Sequence, residues 1–193
     1  MTDCIITGVG GQGIILLSRL IGAAAMEKGF GVRGTETIGM AQRGGSVVSH
    51  VRIGDGVMSP LIPLKNADIL LALEPFEAVR NLHYLKEDGI VFSLDKPVRT
   101  QTKPLTDPKD GGYEISESIG YLKRNVKRLE LISYDSLAKA AKNVKAVNTA
   151  FLGFVVEKGV FPFNTEDIER AMRARIPEKY LEMNLEALRG FGK

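Results

Sequence analysis

Three glycines at the spacing of a phosphate-binding turn lie close to the start of the chain. Gly8, Gly10 and Gly13 lie between a largely apolar run at residues 4–7 and an apolar run at residues 14–17. This order predicts a strand, a glycine-rich turn and a helix whose N-terminal backbone amides can face an anion. We therefore predict a phosphate or anion seat here, with a purely structural turn as the alternative. The candidate residues are Gly8, Gly10, Gly11, Gln12 and Gly13.

A second candidate segment is rich in glycine and carries an arginine. Gln42, Arg43, Gly44 and Gly45 combine a guanidinium group with backbone amides that a ligand can approach. That combination suits a phosphate or a carboxylate. Contact with another subunit is the alternative role, and the two roles are compatible.

One acidic residue and two histidines were considered as parts of a dehydrogenase site. Glu36 follows Gly13 at about the distance expected of the acid that holds the ribose of a dinucleotide, which keeps an NAD(P)-dependent dehydrogenase open as an alternative. No hydride-transfer constellation accompanies it. His50 lies in an alternating strand pattern and His83 in an amphipathic helical pattern, so we expect both to be structural or surface residues.

Composition limits the cofactors and partners that this chain can hold. The sequence has a single cysteine, Cys4, so the chain alone cannot supply a disulfide framework or a four-cysteine iron–sulfur cluster. Asp55 and Asn81 imitate a magnesium–thiamine diphosphate signature, but Asp55 is expected in an ordinary turn and Asn81 inside a helix. No metal site and no resident cofactor is therefore expected.

Charge and hydropathy place the chain among ordinary globular proteins. The formal net charge is +3 and the basic residues are dispersed, which does not indicate nucleic-acid binding. The sequence shows neither a signal peptide nor an apolar stretch of membrane-span length, so a cytoplasmic protein without a membrane partner is expected.

The elements that must position these residues alternate between strand and helix. We predict one domain over 1–193, with an α/β core at 1–135 and a helical part at 136–193. The fold class is α/β: a Rossmann-like, mostly parallel sheet flanked by helices, with a hairpin excursion and a helical C-terminal extension. Residues 31–35 should be the second strand of a parallel βαβ unit, and the strand at 46–53 should turn at 54–56 into a hairpin with 57–59. Further strands are predicted at 67–73, 89–93 and 129–133, a surface loop at 96–112, and helices at 74–85, 119–126, 136–142, 146–158, 166–175 and 178–188.

Several longer motifs together carry a family resemblance. Residues 8–13 read GVGGQG, residues 36–47 read ETIGMAQRGGSV and residues 51–54 read VRIG; ALEP at 72–75 and NTAFLG at 148–153 extend the match. This combination resembles the gamma-type subunits of the 2-oxoacid:ferredoxin oxidoreductases, the group that includes pyruvate ferredoxin oxidoreductase gamma subunits. Within the group it is most similar to the beta subunits of the indolepyruvate type, over essentially the whole chain.

The resemblance implies a division of labour between subunits. It implies an enzyme that oxidatively decarboxylates an aryl 2-oxoacid such as indolepyruvate, with coenzyme A as acyl acceptor and ferredoxin as electron acceptor. Thiamine diphosphate, magnesium and iron–sulfur clusters would lie on a large catalytic partner subunit, with ferredoxin reached only through it. The glycine turn and the Gln42–Arg43 segment would shape part of a coenzyme A pocket or clamp the partner.

Three functions therefore remain open at this point: the oxidoreductase subunit, an independent NAD(P)-dependent dehydrogenase, and a non-catalytic assembly protein of the same fold. An exposed apolar surface including Ile38 and Met40 is expected where the partner docks. An isolated chain is free to bury that surface in a homodimer.

Overall fold

A computed structural model of the protein describes residues 1–38, 45–96 and 115–190. The strands are β1 (Thr2–Val9), β2 (Val32–Ile38), β3 (Ser46–Ile53), β4 (Ala67–Ala72), β5 (Leu85–Leu94) and β6 (Arg128–Ile132). The helices are α1 (Ile14–Glu27), α2 (Pro75–Asn81), α3 (Ile115–Asn125), α4 (Tyr134–Ala141), α5 (Val147–Glu157), α6 (Thr165–Arg175) and α7 (Glu178–Arg189). Short 3₁₀ turns occupy Leu82–Tyr84 and Val144–Ala146.

One six-stranded mixed sheet, in the order β2-β3-β1-β4-β5-β6, organises the fold. The pairs β1–β4, β4–β5 and β5–β6 are parallel, whereas β3 is antiparallel to both β1 and β2. The apolar strand β4 lies in the middle of the sheet, as a strand buried on both faces requires. The predicted α/β class with a mostly parallel sheet is confirmed.

The hairpin lies in a different place from the predicted one. Because β3 pairs with both β1 and β2, it separates the two strands that were expected to be neighbours in a βαβ unit. The hairpin consists of β2 and β3, and residues 57–59 form no strand. The short connection between β2 and β3 favours antiparallel pairing, since a parallel crossover needs a dozen or more residues.

Helices cover both faces of the sheet. Helix α1 and the helices α4 to α7 pack on one face, where Leu17, Phe151 and Leu188 share a single core with Leu71 and Phe92. On the other face Ala78 of α2 and Leu122 of α3 pack against Ile5, Leu70 and Val91. The C-terminal helices are therefore one of the two layers that bury the sheet. Within 1–38, 45–96 and 115–190, no helix is both long enough and apolar enough to cross a membrane.

Candidate functional site

The glycine turn connects β1 to α1 as the sequence predicts. Gly11 and Gly13 have positive φ angles of 98° and 85°, a backbone conformation that residues with a side chain adopt at a cost. Gly13 is the N-cap of α1, with no side-chain cap, and the first turn of the helix contains no acidic residue. The positive end of the helix dipole is thus directed at this turn, and no acidic side chain in the first turn of α1 neutralises it.

The interior of the turn is occupied by a side chain of the turn itself. Gln12 is buried, and its Oε1 accepts a hydrogen bond from the Val9 backbone N–H at 2.7 Å. A Cβ on Gly8 would overlap Gln12 Oε1, so the absence of a side chain at Gly8 makes room for the glutamine. Gly8 is explained by packing inside the protein, with no ligand needed.

Asn148, at the start of α5, fills the space beside Gly13. Its Nδ2 donates to the Gln12 carbonyl oxygen at 3.3 Å, and a Cβ on Gly13 would overlap the same amide nitrogen. Asn148 Oδ1 accepts from the Thr149 backbone N–H, and Thr149 Oγ1 hydrogen-bonds to Asn184 Oδ1 at 2.7 Å. A buried polar chain therefore links the glycine turn to α5 and α7.

The second predicted segment ends beside the glycine turn. The Gly10 N–H donates to the Gly45 carbonyl oxygen at 2.8 Å, and Val9 is paired with Ser46 at the start of β3. Residues 39–44, with the candidates Gln42, Arg43 and Gly44 and the apolar Met40, lie outside the described residues, as does the side chain of Ile38. Among the described candidates, Gly8, Gly10, Gly11, Gln12, Gly13 and Gly45 are brought together.

Two buried acidic side chains adjoin the turn, and the sequence reasoning missed both. Glu74 directly follows the β4 region, and Glu77 is in the first turn of α2; both are almost completely buried. Burial and the neighbouring Glu77 raise the pKa of Glu74 to about 7, against the opposing effects of a side-chain hydrogen bond with Gln12 and the charge of Arg80. The sequence offers one signal for this site, an acidic residue soon after a buried strand, but the same signal also marks the start of a helix.

A hydrogen-bond network holds Glu77 in place. Ser46 Oγ donates to Glu77 Oε2 at 2.5 Å, and Asn81 Nδ2 donates to Thr7 Oγ1 at 2.8 Å and to the Glu77 backbone carbonyl at 2.9 Å. Arg80, half exposed, lies 3.5 Å from Glu77 Oε1. Asn81 contacts Thr7 near the C-terminal end of β1, whereas Asp55 follows Ile53, which pairs with Thr2 at the N-terminal end, so the two residues do not meet as a magnesium-binding pair would.

The turn and the acidic pair flank the point where the chain leaves adjacent parallel strands toward opposite faces. The connection after β1 leads to α1 on one face, and the connection after β4 leads to α2 on the other. In open α/β sheets the crevice at such a switch point is where ligands bind. The same crevice here holds Gln12, Glu74 and Glu77.

The residues that the sequence suggests for dehydrogenase chemistry have structural roles in the fold. Glu36 is on β2, with β3 between it and β1, and the Ser18 hydroxyl donates to it at 3.3 Å. His50 Nδ1 accepts from the Ile62 backbone N–H at 3.2 Å, and burial lowers its pKa. His83 Nδ1 hydrogen-bonds to the Arg80 carbonyl oxygen.

Cys4 is fully buried, and burial raises the pKa of its thiol. In the described part of the chain no three His, Cys, Asp or Glu side chains form a group able to hold a metal ion.

Comparison with known proteins gives matches along the full length of the chain. The family model for pyruvate ferredoxin/flavodoxin oxidoreductase matches residues 3–190. Indolepyruvate oxidoreductase subunit IorB of Archaeoglobus fulgidus is 38% identical over 188 residues, which are 97% of this chain and 92% of that relative.

Two solved structures share the fold. The gamma subunit of keto/oxoacid ferredoxin oxidoreductase from Geobacter sulfurreducens aligns with a TM-score of 0.68 at 24% identity, covering 100% of this chain and 97% of that one. The 2-oxoglutarate:ferredoxin oxidoreductase from Magnetococcus marinus, solved with 2-oxoglutarate, coenzyme A and succinyl-CoA bound, aligns with a TM-score of 0.68 at 19% identity. This chain is covered to 99%, but the match takes up only 30% of that longer chain.

Proposed function

The chain belongs to the pyruvate ferredoxin/flavodoxin oxidoreductase family, and on this premise we propose that it is the small, non-thiamine-binding subunit of an indolepyruvate:ferredoxin oxidoreductase. The observation that carries the proposal is the full-length similarity, at 38% identity, to an indolepyruvate oxidoreductase subunit. The complex would oxidatively decarboxylate an aryl 2-oxoacid to its coenzyme A thioester and pass the electrons to ferredoxin.

The large partner subunit would hold the redox and thiamine chemistry. This chain does not fit an iron–sulfur cluster, because its single cysteine, Cys4, is fully buried in β1. It does not fit magnesium–thiamine diphosphate either, because Asp55 and Asn81 lie at opposite ends of β1. We therefore assign no catalytic residue to this chain.

The glycine turn is proposed to contribute to the coenzyme A pocket or to the contact with the catalytic subunit, together with the segment around Gln42 and Arg43. The uncapped N-terminus of α1 and the hydrogen bond between Gly10 and Gly45 support this proposal, because Gly45, the last residue of that segment, lies beside the turn at the positive helix end. The coenzyme A bound in the 2-oxoglutarate oxidoreductase of the same fold is consistent with it.

Co-expression with the large thiamine-dependent subunit tests the function. The purified complex should reduce a viologen dye with indolepyruvate and coenzyme A present, faster than with pyruvate or 2-oxoglutarate, and the isolated small subunit should be inactive. Failure of the two chains to form a complex, or saturable micromolar binding of NADH by the isolated chain, would contradict the proposal.

Replacing Arg43 by Ala tests the role of its segment. The Arg43→Ala complex should show a raised apparent KM for coenzyme A or weaker assembly, since an arginine contact to a phosphate or carboxylate is lost. Lys179→Ala on the exposed surface of α7 serves as the control. An Arg43→Ala complex that assembles and turns over like the wild type would remove the segment from both roles.

A further inference from the structure

The strand β2 forms an edge of the sheet that the described parts of the molecule leave open. It is seven residues long and pairs only with β3, in an unbroken register from Val32–Ile53 to Ile38–Val47. Among residues 1–38, 45–96 and 115–190, the backbone N–H and C=O groups on its outer side therefore have no sheet partner. Natural edge strands are usually shortened, bulged, blocked by proline or marked by charged side chains; β2 carries Arg33 and Glu36 but is long, unbulged and free of proline.

The opposite edge shows the contrast. Strand β6 has only five residues, and it carries Glu130, which forms an ion pair with Lys158 at 3.6 Å. A short strand with a charged pair beside it is poorly suited to accept another strand. The two edges of one sheet thus differ in how far they are protected, and β2 is the longer and less protected one.

A cleft opens beside β2 at Gly34, where the strand has no side chain. Its volume is about 450 Å³, and its lining includes Ser18 and Arg19 of α1, Gly34 and Glu36 of β2, and Val51 of β3. A strand added to β2 would place every second side chain on the α1 side of the sheet. One such side chain would meet this cleft next to Arg19.

The charges around the edge specify the chemistry of an incoming strand. Arg19 and Arg33 are exposed, and within the described parts of the molecule neither forms an ion pair. The acidic residue nearby, Glu36, is half-buried and accepts a hydrogen bond from Ser18. The edge therefore presents two unpaired cations, one from α1 and one from β2, to whatever strand lies beside it. A second copy of this chain would bring the same two arginines, and the one acidic side chain on its β2, Glu36, already accepts a hydrogen bond from Ser18.

We propose that β2 is the docking strand for an extended, acidic segment of the large thiamine-dependent subunit, which adds to the sheet and places an acidic side chain at Arg19. This inference rests on the proposed function. Main-chain hydrogen bonds supply affinity in such strand addition, and the alternating side chains supply specificity.

Hydrogen–deuterium exchange of the active complex tests strand addition directly. In the free chain the outward N–H groups of Val32–Ile38 should exchange quickly, and in the complex their exchange should slow by about tenfold or more. The other edge strand, Arg128–Ile132, is the internal reference. The role of β2 as the docking strand would be overturned if, in a complex that reduces dye with indolepyruvate, amide exchange in β2 did not slow or slowed no more than in Arg128–Ile132. The proposed function would remain intact in that case. A complex without that activity would count against the proposed function instead.

Charge reversal tests the acidic character of the partner segment. The double variant Arg19→Glu/Arg33→Glu should bind the large subunit about tenfold more weakly, which corresponds to about 1.4 kcal/mol. The control Lys179→Glu, an exposed cation on α7, should bind like the wild type. Circular dichroism of each variant checks that the fold is retained. If the folded double variant bound the large subunit with wild-type affinity, the acidic character of the partner segment would be overturned. Concentration-dependent protection of β2 in the isolated chain would show a second copy as the occupant and overturn the assignment to the large subunit.

Discussion

Gly13→Ala and Gly29→Ala form a matched pair that measures why the glycine turn needs its last glycine. Both residues have nearly the same positive φ, 85° and 84°, so both variants incur the same cost of about 1–2 kcal/mol for placing an L side chain in that region. They differ in their neighbours. A Cβ on Gly29 meets no atom within 4 Å, whereas a Cβ on Gly13 overlaps the side-chain amide of Asn148.

The expected difference follows from that contact. Displacing Asn148 breaks its hydrogen bond to the Gln12 carbonyl, which costs about 1 kcal/mol, and the overlap itself adds about 1–3 kcal/mol. Gly13→Ala should therefore lower the free energy of unfolding by about 2–4 kcal/mol more than Gly29→Ala. Urea unfolding followed by far-ultraviolet circular dichroism measures both values under one set of conditions.

A double variant separates the contact from other causes. In the Asn148→Ala background the side chain that Gly13→Ala would strike is gone, so the two substitutions should cost about 2 kcal/mol less together than the sum of their separate costs. Equal losses for Gly13→Ala and Gly29→Ala, together with additive behaviour in the double variant, would refute the packing explanation. Gly13 would then be required for its backbone conformation alone and not to make room for Asn148.

Three further substitutions test other parts of the structure. The pKa of Glu74 is raised from 4.5 to about 7 in the folded protein, so the unfolded chain loses this proton at a lower pH, and the free energy of unfolding should fall as the pH rises from 4.5 to 7. Glu74→Gln should remove that fall and should raise the free energy of unfolding by about 3 kcal/mol above pH 7. Urea titrations at a series of pH values measure both effects. Arg52 donates two hydrogen bonds, at 2.9 and 3.0 Å, to the buried carboxylate of Asp3. Arg52→Met leaves that carboxylate without its cation and should lower the free energy of unfolding by about 3 kcal/mol, and adding Asp3→Asn in a double variant should restore most of this loss. Gly153→Ala would force a Cβ against a backbone carbonyl oxygen of α7 and should lower Tm by several degrees in a thermal melt, whereas an unchanged Tm would show that α5 and α7 are free to separate.

Local patterns were sufficient to predict most elements of the fold. The apolar run at 67–73 gave a central strand, and the break at Pro177 separated α6 from α7, because burial period and helix-ending residues act within a few positions. The position of β3 was not predictable in the same way. Its alternating pattern fixes which face is buried, but not whether it pairs with β1, with 57–59, or with β2.

The candidate site was predicted in its backbone and missed in its side chains. The spacing of Gly8, Gly10 and Gly13 located the turn, because the conformational demands of a strand-to-helix turn are local. The side chains that fill it come from distant parts of the chain: Asn148 begins α5, and Glu74 follows β4. Only the folded packing brings them together, and so the sequence alone could not distinguish an open anion seat from one that the protein occupies itself.

The central position of β1 has a consequence for folding during synthesis. Strand β1 is made before both of its neighbours, since Cys4 pairs with Val51 in β3 and with Ile69 in β4. The hairpin of β2 and β3 closes over a short loop and can form early and offer β3 to one edge of β1, but the other edge of β1 remains unpaired until β4 has been translated. Over about its first third the nascent chain therefore carries an apolar strand with an open edge, which is a feature of aggregation-prone folding intermediates.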